Sequence, residues 1–253
     1  MASQAIYRFY AELADFRPKI WRRFEVAQNV TMSRLAYVLM TLYEMEARHL
    51  FQFRVPEKTN YEHWYIEKIT ACTEEERARE QLWINETFSD NRIVLQLIDE
   101  DSEALLGREL LDASMLRLRD VIAHPGDRLY FDYDFGDGWE VDLLLEDIRQ
   151  DTELSGRELP RVLQGEGYGI VEDCGGPEGL EELATAFKKK KGKHYQDMRE
   201  WLGVDSLDLS TLDLDDMNFR LKKVPRIYAD LYEYELEPTR RSMDILTRKY
   251  KTK

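Results

Sequence analysis

Residues 130–140, YFDYDFGDGWE, decide the fold of this chain. Strand-forming residues extend from this stretch in both directions, over Leu129 to Phe135 and over Trp139 to Ile148. Between them, Gly136-Asp137-Gly138 supplies residues that tolerate the positive φ angles of a tight turn. The pattern predicts a β-hairpin at the centre of the chain.

The first strand of this hairpin alternates aromatic and acidic side chains. In an extended strand, Phe131, Tyr133 and Phe135 share one face. Asp132 and Asp134 lie on the other face, about 7 Å apart. We therefore expect the aromatic rings to enter the core and the carboxylates to face water.

Alternation and helical spacing predict further elements outward from the hairpin. Strands are predicted at Tyr7 to Leu13, Ile20 to Val26, Leu50 to Val55, His63 to Ile66 and Arg92 to Ile98. Helices are predicted from a cap at Thr31 to about Met45, and over Glu74 to Trp83, Glu178 to Lys190, Tyr195 to Leu202 and Asp213 to Lys223. We expect residues 99–112 to form a flexible acidic excursion and residues 149–176 to be rich in loops.

These elements predict an α+β protein with an antiparallel or mixed β-sheet and packed helices, the helices being concentrated in the C-terminal half. We assign residues 1–225 to one α+β domain. Residues 226–253 are predicted to form a C-terminal tail that is helical and basic at its end.

Charge and composition exclude several classes of protein. The chain has 50 acidic and 36 basic residues, a net charge of −14, which disfavours nonspecific binding to nucleic acid or to anionic lipid. Two cysteines, Cys72 and Cys174, are too few for a disulfide framework and favour a reducing compartment, for which we expect the cytoplasm. No apolar run approaches the roughly 20 residues of a membrane helix, and no secretory leader is expected.

The acids of the hairpin form the first candidate site. Asp132, Asp134 and Asp137, with Glu140 as a further member, could bind a divalent cation or an amine. A calcium-loop match fails, because counting from Asp132 places Asp137 where that loop needs glycine. A solvated strand face with a tight turn is the open alternative.

The run EDCGGP at residues 172–177 opens a predicted helix and forms the second candidate. Backbone N–H groups at Gly175 and Gly176 could bind an anion or a carboxylate of another chain. The spacing is not that of a phosphate loop, and Glu172 and Asp173 would repel phosphate. Cys174 is either a nucleophile activated by the helix start or part of a structural turn.

A basic patch and four histidines complete the candidates. Arg17, Lys19, Arg22 and Arg23 surround Trp21, a combination that could hold a phosphate or a carboxylate partner. The histidines are scattered without the spacing of a metal site. His49 precedes a predicted strand, where a histidine at the edge of the core is the usual outcome.

Five segments, taken together, resemble the plasmid pRiA4b ORF-three family, whose members are also labelled transposon-passenger, TnpR-like proteins. The segments are RPKIWRRFEV from Arg17, HLFQF from His49, YDFGDGWE from Tyr133, EDCGGP from Glu172, and WLG followed by DDMNFRL from Asp215. They occur in the family's order. The resemblance implies an α+β fold in a bacterial or archaeal intracellular protein and no established activity. Where the family usually carries a second histidine, this chain has Phe51.

The first functional hypothesis is a noncatalytic binding or accessory module linked to plasmid or mobile-element biology, with a protein as its partner. The predicted binding surface consists of Arg17, Trp21, Arg22, Arg23, Asp132, Asp134, Asp137, Trp139, Glu172, Asp173, Gly175 and Gly176. Such residues lie in turns and at strand ends, where scaffolds present function.

Two alternatives stay open. One is a metal-assisted hydrolase, in which a divalent cation, the only cofactor considered, is held by Asp132, Asp134 and Asp137 with help from Glu172 and Asp173. The other is an accessory protein of DNA recombination, which the family label suggests. The net charge and the missing basic recognition helix weigh against it.

Overall fold

The computed structural model describes residues 5–69, 72–90, 92–98, 109–151, 154 and 158–251. Within these residues, eight strands form one sheet in the order β5-β4-β3-β6-β7-β1-β2-β8. All described pairs are antiparallel except β4 with β5, so the predicted α+β class with a mixed sheet is confirmed. The strands are β1 Ala5–Leu13, β2 Trp21–Ala27, β3 Phe51–Val55, β4 Ile93–Gln96, β5 Glu109–Asp112, β6 Arg128–Tyr133, β7 Trp139–Gln150 and β8 Arg161–Glu166.

The helices begin and end where capping chemistry favours it. Thr31 accepts a hydrogen bond from the backbone N–H of Arg34, and Thr73 forms a capping box with Glu76. Gly203, in the left-handed conformation, ends α6 as predicted. The helices are α1 Met32–Leu42, α2 Glu57–Ile69, α3 Glu74–Thr87, α4 Leu118–Val121, α5 Gly176–Lys189, α6 Lys193–Leu202, α7 Leu214–Leu221, α8 Val224–Tyr232 and α9 Arg240–Leu246. No helix among the described residues is long and apolar enough to cross a membrane.

The core lies between the sheet and α1. Alternate residues of β1 and of the β6–β7 hairpin are buried on one face, as the sequence pattern predicts. Helix α1 is buried along almost its whole length because α7 and α8 pack against it. Helix α8 runs across positions 225 and 226, where the tail is predicted to begin, and the ring of its Tyr228 lies 6.1 Å from that of Tyr37.

Two of the predicted elements differ in the structure. The strand predicted at His63 to Ile66 is wrong, because these residues belong to α2. Tyr61 and Trp64 are one helical turn apart and contact the rings of Phe88 and His124, so packing overrides the strand propensity of the segment. The predicted excursion at residues 99–112 ends in β5, and its residues 99–108 lie outside the described part.

The segment predicted to be rich in loops, from residue 149 to residue 176, includes the end of β7 and the strand β8 among its described residues. Strand β8 pairs with β2, and its Gly165 lies opposite Arg22. A Cβ at Gly165 would lie 2.6 Å from the carbonyl oxygen of Trp21. Glycine therefore permits this close pairing, while the glycines of the segment obscure the strand in the sequence.

The prediction that Arg22 lies on a basic binding surface is wrong, because its side chain is fully buried. It points inward from β2 and donates hydrogen bonds to backbone carbonyl oxygens at three places. The acceptors are Trp21 in β2, Leu42 at the end of α1, and Glu166, Gly167 and Tyr168 at and after β8. Arg22 thus joins three parts of the fold and is not available to a ligand.

On the outward face of the sheet, Glu25 has no exposed side-chain surface and pairs with three arginines. Arg8, Arg149 and Arg161 approach its carboxylate to between 2.8 and 3.0 Å. Burial alone would raise the pKa of Glu25. The hydrogen bonds from the three guanidinium groups outweigh burial and lower that pKa to about 2.

We predict that Glu25 makes stability depend on pH. Because its folded pKa lies below the ordinary value of 4.5, its contribution is present above about pH 4.5 and is lost as pH falls toward 2. Urea denaturation at pH 7 should show Glu25→Gln to be less stable than wild type by about 3 kcal/mol, and the difference should shrink at pH 3. Asp147→Asn, which alters only an exposed contact of Arg8, is the matched control and should cost less than about 1 kcal/mol. A Glu25→Gln defect of equal size at both pH values would contradict this account.

We also predict that Arg22→Met destabilises the fold by at least about 3 kcal/mol, because several buried carbonyl oxygens lose their donor. Arg17→Met is the control, since the Arg17 side chain is 65% exposed and its change should stay within about 0.5 kcal/mol. Chemical denaturation of both variants checks the comparison. Equal unfolding free energies for the two would show that the buried hydrogen bonds of Arg22 contribute nothing.

Candidate functional site

Three segments that are far apart in the sequence meet at one end of the sheet. Strands β3 and β6 pair so that Phe51 lies opposite Tyr133, which places His49 and Leu50 beside the turn that follows β6. The backbone N–H of Asp134 donates to the carbonyl oxygen of Leu50 at 3.0 Å. The loop before α5 completes the group. We call His49, Asp134, Glu172 and Asp173 the His49 cluster.

Asp134 enters this cluster because β6 ends one residue before it. Its φ angle is +53°, and its carbonyl oxygen accepts from the N–H of Gly138. Its Oδ1 accepts from the N–H groups of Gly136 and Asp137 at 3.0 and 3.3 Å. Its Oδ2 lies 3.6 Å from Nδ1 of His49.

The prediction that Asp134 faces water and Phe135 enters the core is wrong. Asp134 is buried, and Phe135 is 52% exposed. The reason is that the left-handed backbone of Asp134 ends the alternation on which the prediction rests.

Glu172 is the most constrained member. Its Oε1 accepts from the backbone N–H of Glu46 at 2.6 Å and from the hydroxyl of Tyr133 at 2.8 Å. Its Oε2 is buried, has no hydrogen-bond partner, and lies 3.4 Å from Nε2 of His49. Burial raises the pKa of Glu172, and the N–H of Glu46 and the Tyr133 hydroxyl oppose this increase.

His49 is the functional candidate that sequence reasoning undervalued. Its ring meets that of Tyr133 edge-on, with centroids 5.8 Å apart. Its Nε2 also lies 3.6 Å from Oδ1 of Asp173, whose side chain is 67% exposed. The sequence offers a signal only in that His49 opens one of the family-like segments, since no partner is nearby along the chain.

Asp137, Gly175 and Gly176 are brought together, as the sequence hypothesis requires, but they form a structural contact. Oδ2 of Asp137 accepts from the N–H of Gly175 at 3.2 Å. Gly176 has a φ angle of +73°, and a Cβ there would lie 2.2 Å from the carbonyl oxygen of Asp137. Glycine is therefore needed where the hairpin turn meets the start of α5.

Asp132 does not join the His49 cluster. It faces the outward side of the sheet and accepts from Gln52 and from Arg54, each at 2.7 Å. Arg54 also binds Glu140. The predicted cation site at Asp132, Asp134 and Asp137 is thus divided among three separate groups of contacts.

Trp139 and the basic residues of β2 also lie elsewhere. Trp139 is fully buried because it points inward from β7, so its predicted place on a binding surface is wrong. Arg23 binds Glu146 and lies over the ring of Trp21 on the outward face. Arg17 is exposed and pairs with Glu12.

Cys174 fits the structural-turn alternative. Burial, together with the charge of Asp137, raises the pKa of its thiol to about 12. Its Sγ lies 3.6 Å from the carbonyl oxygen of Gly176. A thiol with this pKa is protonated near neutral pH and is a poor nucleophile.

The chemistry of the His49 cluster is that of a cation site. His49, Asp134 and Glu172 each offer one ligand atom, and these atoms lie within 4.8 Å of one another. One imidazole faces three carboxylates, so negative charge exceeds positive charge even when the imidazole is protonated.

Similar proteins were found at the level of family, sequence and fold. Residues 5–217 match the family described as plasmid pRiA4b ORF-3-like protein. The uncharacterized protein y4hQ of Sinorhizobium fredii (strain NBRC 101917 / NGR234) is 23% identical over 215 residues, which cover 85% of this chain and 89% of that protein. The crystal structure of MM3350, a protein of unknown function from Methanosarcina mazei Go1, shares the fold with a TM-score of 0.62 and 23% identity, covering 84% of this chain and 97% of that one. The predicted family is confirmed: the chain belongs to the plasmid pRiA4b ORF-3-like protein family.

Proposed function

We propose that the protein is a noncatalytic binding module that recognises a basic segment of a partner protein at the end of the sheet occupied by the His49 cluster. The observation that carries this proposal is the pair of exposed apolar side chains beside the acids. Leu50 is 72% exposed, and Phe135, which follows Asp134, is 52% exposed. The backbone hydrogen bond between Asp134 and Leu50 places both residues at the same end of the sheet, and an exposed apolar patch is typical of an interaction site.

Charge supports the choice of partner. Asp173 and Glu46 are exposed beside the apolar pair, and the nearby Arg48 is paired with Glu46 at 2.8 Å. Such a surface attracts lysine and arginine side chains and repels acidic ones. A cavity of about 460 Å³ adjoins Phe135 and is also lined by Arg54, Asp132 and Glu140, with Arg54 paired to both acids. It offers a partner side chain a place next to Phe135.

The biological setting of this binding rests on the family. The family's description names a plasmid, and the resemblance adds a link to mobile elements and to TnpR-like proteins. We propose an accessory role in plasmid or mobile-element biology, in the cytoplasm. A part in DNA recombination would require contact with DNA, which the charge of −14 opposes.

A second candidate function, metal-assisted hydrolysis, is favoured by one observation. An imidazole nitrogen and carboxylate oxygens of Asp134 and Glu172 lie within 4.8 Å of one another. This candidate needs a bound ion to activate water.

The test of the binding module uses Leu50→Ser combined with Phe135→Ser, changes on the surface that leave the core intact. A partner captured by wild type from the native host is purified and titrated against both proteins. We expect the double variant to weaken binding by about tenfold or more, because truncated apolar anchors lose contact area.

The matched control combines Leu82→Ser with Met115→Ser, which change exposed apolar residues elsewhere on the chain. It should leave affinity unchanged. Asp173→Lys should also weaken binding, and this effect should be larger at low salt than at high salt. A partner that binds the Leu50 and Phe135 variant as tightly as wild type, or one that binds through an acidic segment, would refute the proposal.

A further inference from the structure

Each carboxylate of the buried pair Asp134 and Glu172 has one oxygen fixed by the protein and the other turned toward His49. Oδ1 of Asp134 holds the hairpin turn through two backbone N–H groups. Oε1 of Glu172 is bonded to Glu46 and Tyr133. The free oxygens, Oδ2 and Oε2, are those nearest the imidazole. Ligands held in this manner from behind are typical of metal sites.

The spacing fits an ion better than it fits direct hydrogen bonds. The distances of 3.6 and 3.4 Å from the ring nitrogens to these oxygens exceed the usual 2.7–3.2 Å for an N–H donor and an oxygen acceptor. Two ligand atoms about 2.1 Å from a tetrahedral ion are about 3.4 Å apart. Nε2 of His49 and Oε2 of Glu172 already have this spacing. Oδ2 of Asp134 faces the other ring nitrogen, Nδ1, and one ligand atom from each of the three residues lies within 4.8 Å of the others.

An independent observation points to a missing partner. Oε2 of Glu172 is buried and receives no hydrogen bond, although the side chain is only 10% exposed. A buried carboxylate oxygen without a donor is destabilising, because it has lost its hydration and gained no replacement. A cation bound between Glu172 and His49 removes this cost.

We infer that His49, Asp134 and Glu172 bind a single divalent transition-metal ion, with Zn²⁺ as the best match. One imidazole nitrogen and two carboxylate oxygens suit Zn²⁺ or Mn²⁺, whereas Mg²⁺ and Ca²⁺ prefer sites built from oxygen alone. Three protein ligands leave a coordination position for water. Asp173, whose exposed carboxylate lies 3.6 Å from Nε2 of His49, would be available to such a water as a proton acceptor.

This inference goes beyond the binding module of the preceding subsection, since a metal ion can occupy the site whether or not a partner protein binds. A bound ion would also supply the metal that the hydrolase candidate needs to activate water. The competing arrangement is an imidazolium ion held by the carboxylates without any metal, and the experiment separates the two.

The experiment starts from full-length protein stripped with EDTA and dialysed. Isothermal titration with Zn²⁺, Mn²⁺ and Mg²⁺ is combined with thermal unfolding, and Co²⁺ is added as a spectroscopic probe. We expect one Zn²⁺ per chain, a rise in melting temperature, Mg²⁺ binding at least about tenfold weaker, and Co²⁺ visible bands of a nitrogen and oxygen site. Affinity should fall as pH drops, because protons compete for the ligands.

Variants of the proposed ligands test where the ion binds. His49→Ala and Glu172→Gln should each weaken Zn²⁺ binding by at least about tenfold. Glu172→Gln keeps the acceptor for Glu46 and Tyr133, and circular dichroism of the stripped variants confirms that they are folded. His124→Ala is the matched control, because His124 also lies near a carboxylate, 3.8 Å from Asp127, but outside the cluster. It should bind Zn²⁺ as wild type does.

Two outcomes overturn the inference. One is the absence of heat and of any thermal shift with millimolar Zn²⁺ and Mn²⁺. The other is Zn²⁺ binding that His49→Ala and Glu172→Gln leave unchanged, which would place the ion elsewhere. Partner binding by EDTA-stripped protein distinguishes the two proposals, since it persists if only the metal inference fails and is absent if the binding module itself fails.

Discussion

The pairing of Tyr133 with Trp139 at the closed end of the β6–β7 hairpin controls the geometry of the candidate site. Both rings are buried, so a shift of register by one residue would move the ring of the shifted strand to the solvent face. With the register fixed, Asp134 must leave the strand, and its left-handed backbone turns the carboxylate inward. The same register presents the Tyr133 hydroxyl to Glu172. The position of two carboxylates therefore follows from the packing of two aromatic rings.

The net charge of −14 combines acids in two different environments. On the outward face of the sheet, Glu25 and Asp132 are bonded to arginines, and these pairs serve the fold. Glu172, by contrast, is surrounded by a backbone N–H, a hydroxyl and an imidazole that also faces Asp134 and Asp173. Local compensation distinguishes structural acids from acids that are available to a cation, and total charge does not.

Local patterns in the sequence were sufficient for most of the fold. Alternation over Phe9, Ala11 and Leu13 identifies β1, and the cap at Thr31 identifies the start of α1, because both signals depend only on neighbouring residues. Signals that depend on tertiary contacts failed. The segment at His63, predicted to be a strand, belongs to α2, because its aromatic residues pack in a helical arrangement. The strand β8 was not predicted, because its glycine is typical of loops.

The candidate site was only partly accessible to sequence reasoning for the same reason. Asp134, Glu172 and Asp173 were candidate site residues from the sequence, Asp134 in the acidic hairpin and the other two in the run that opens a helix. His49 could not be linked to them, because their proximity depends on the pairing of β3 with β6 and on the loop that follows β8. Arg22 and Trp139 show the converse error. Both have the chemistry of binding residues, yet both point inward from their strands and are buried.

The contact between Gly176 and the carbonyl oxygen of Asp137 has a mechanical consequence. No side chain separates the hairpin turn from the first turn of α5, so no rotamer change can absorb a displacement of one against the other. The turn also carries the backbone N–H groups that hold Asp134. A displacement of the Asp134 carboxylate therefore reaches the start of α5 through main-chain contacts alone.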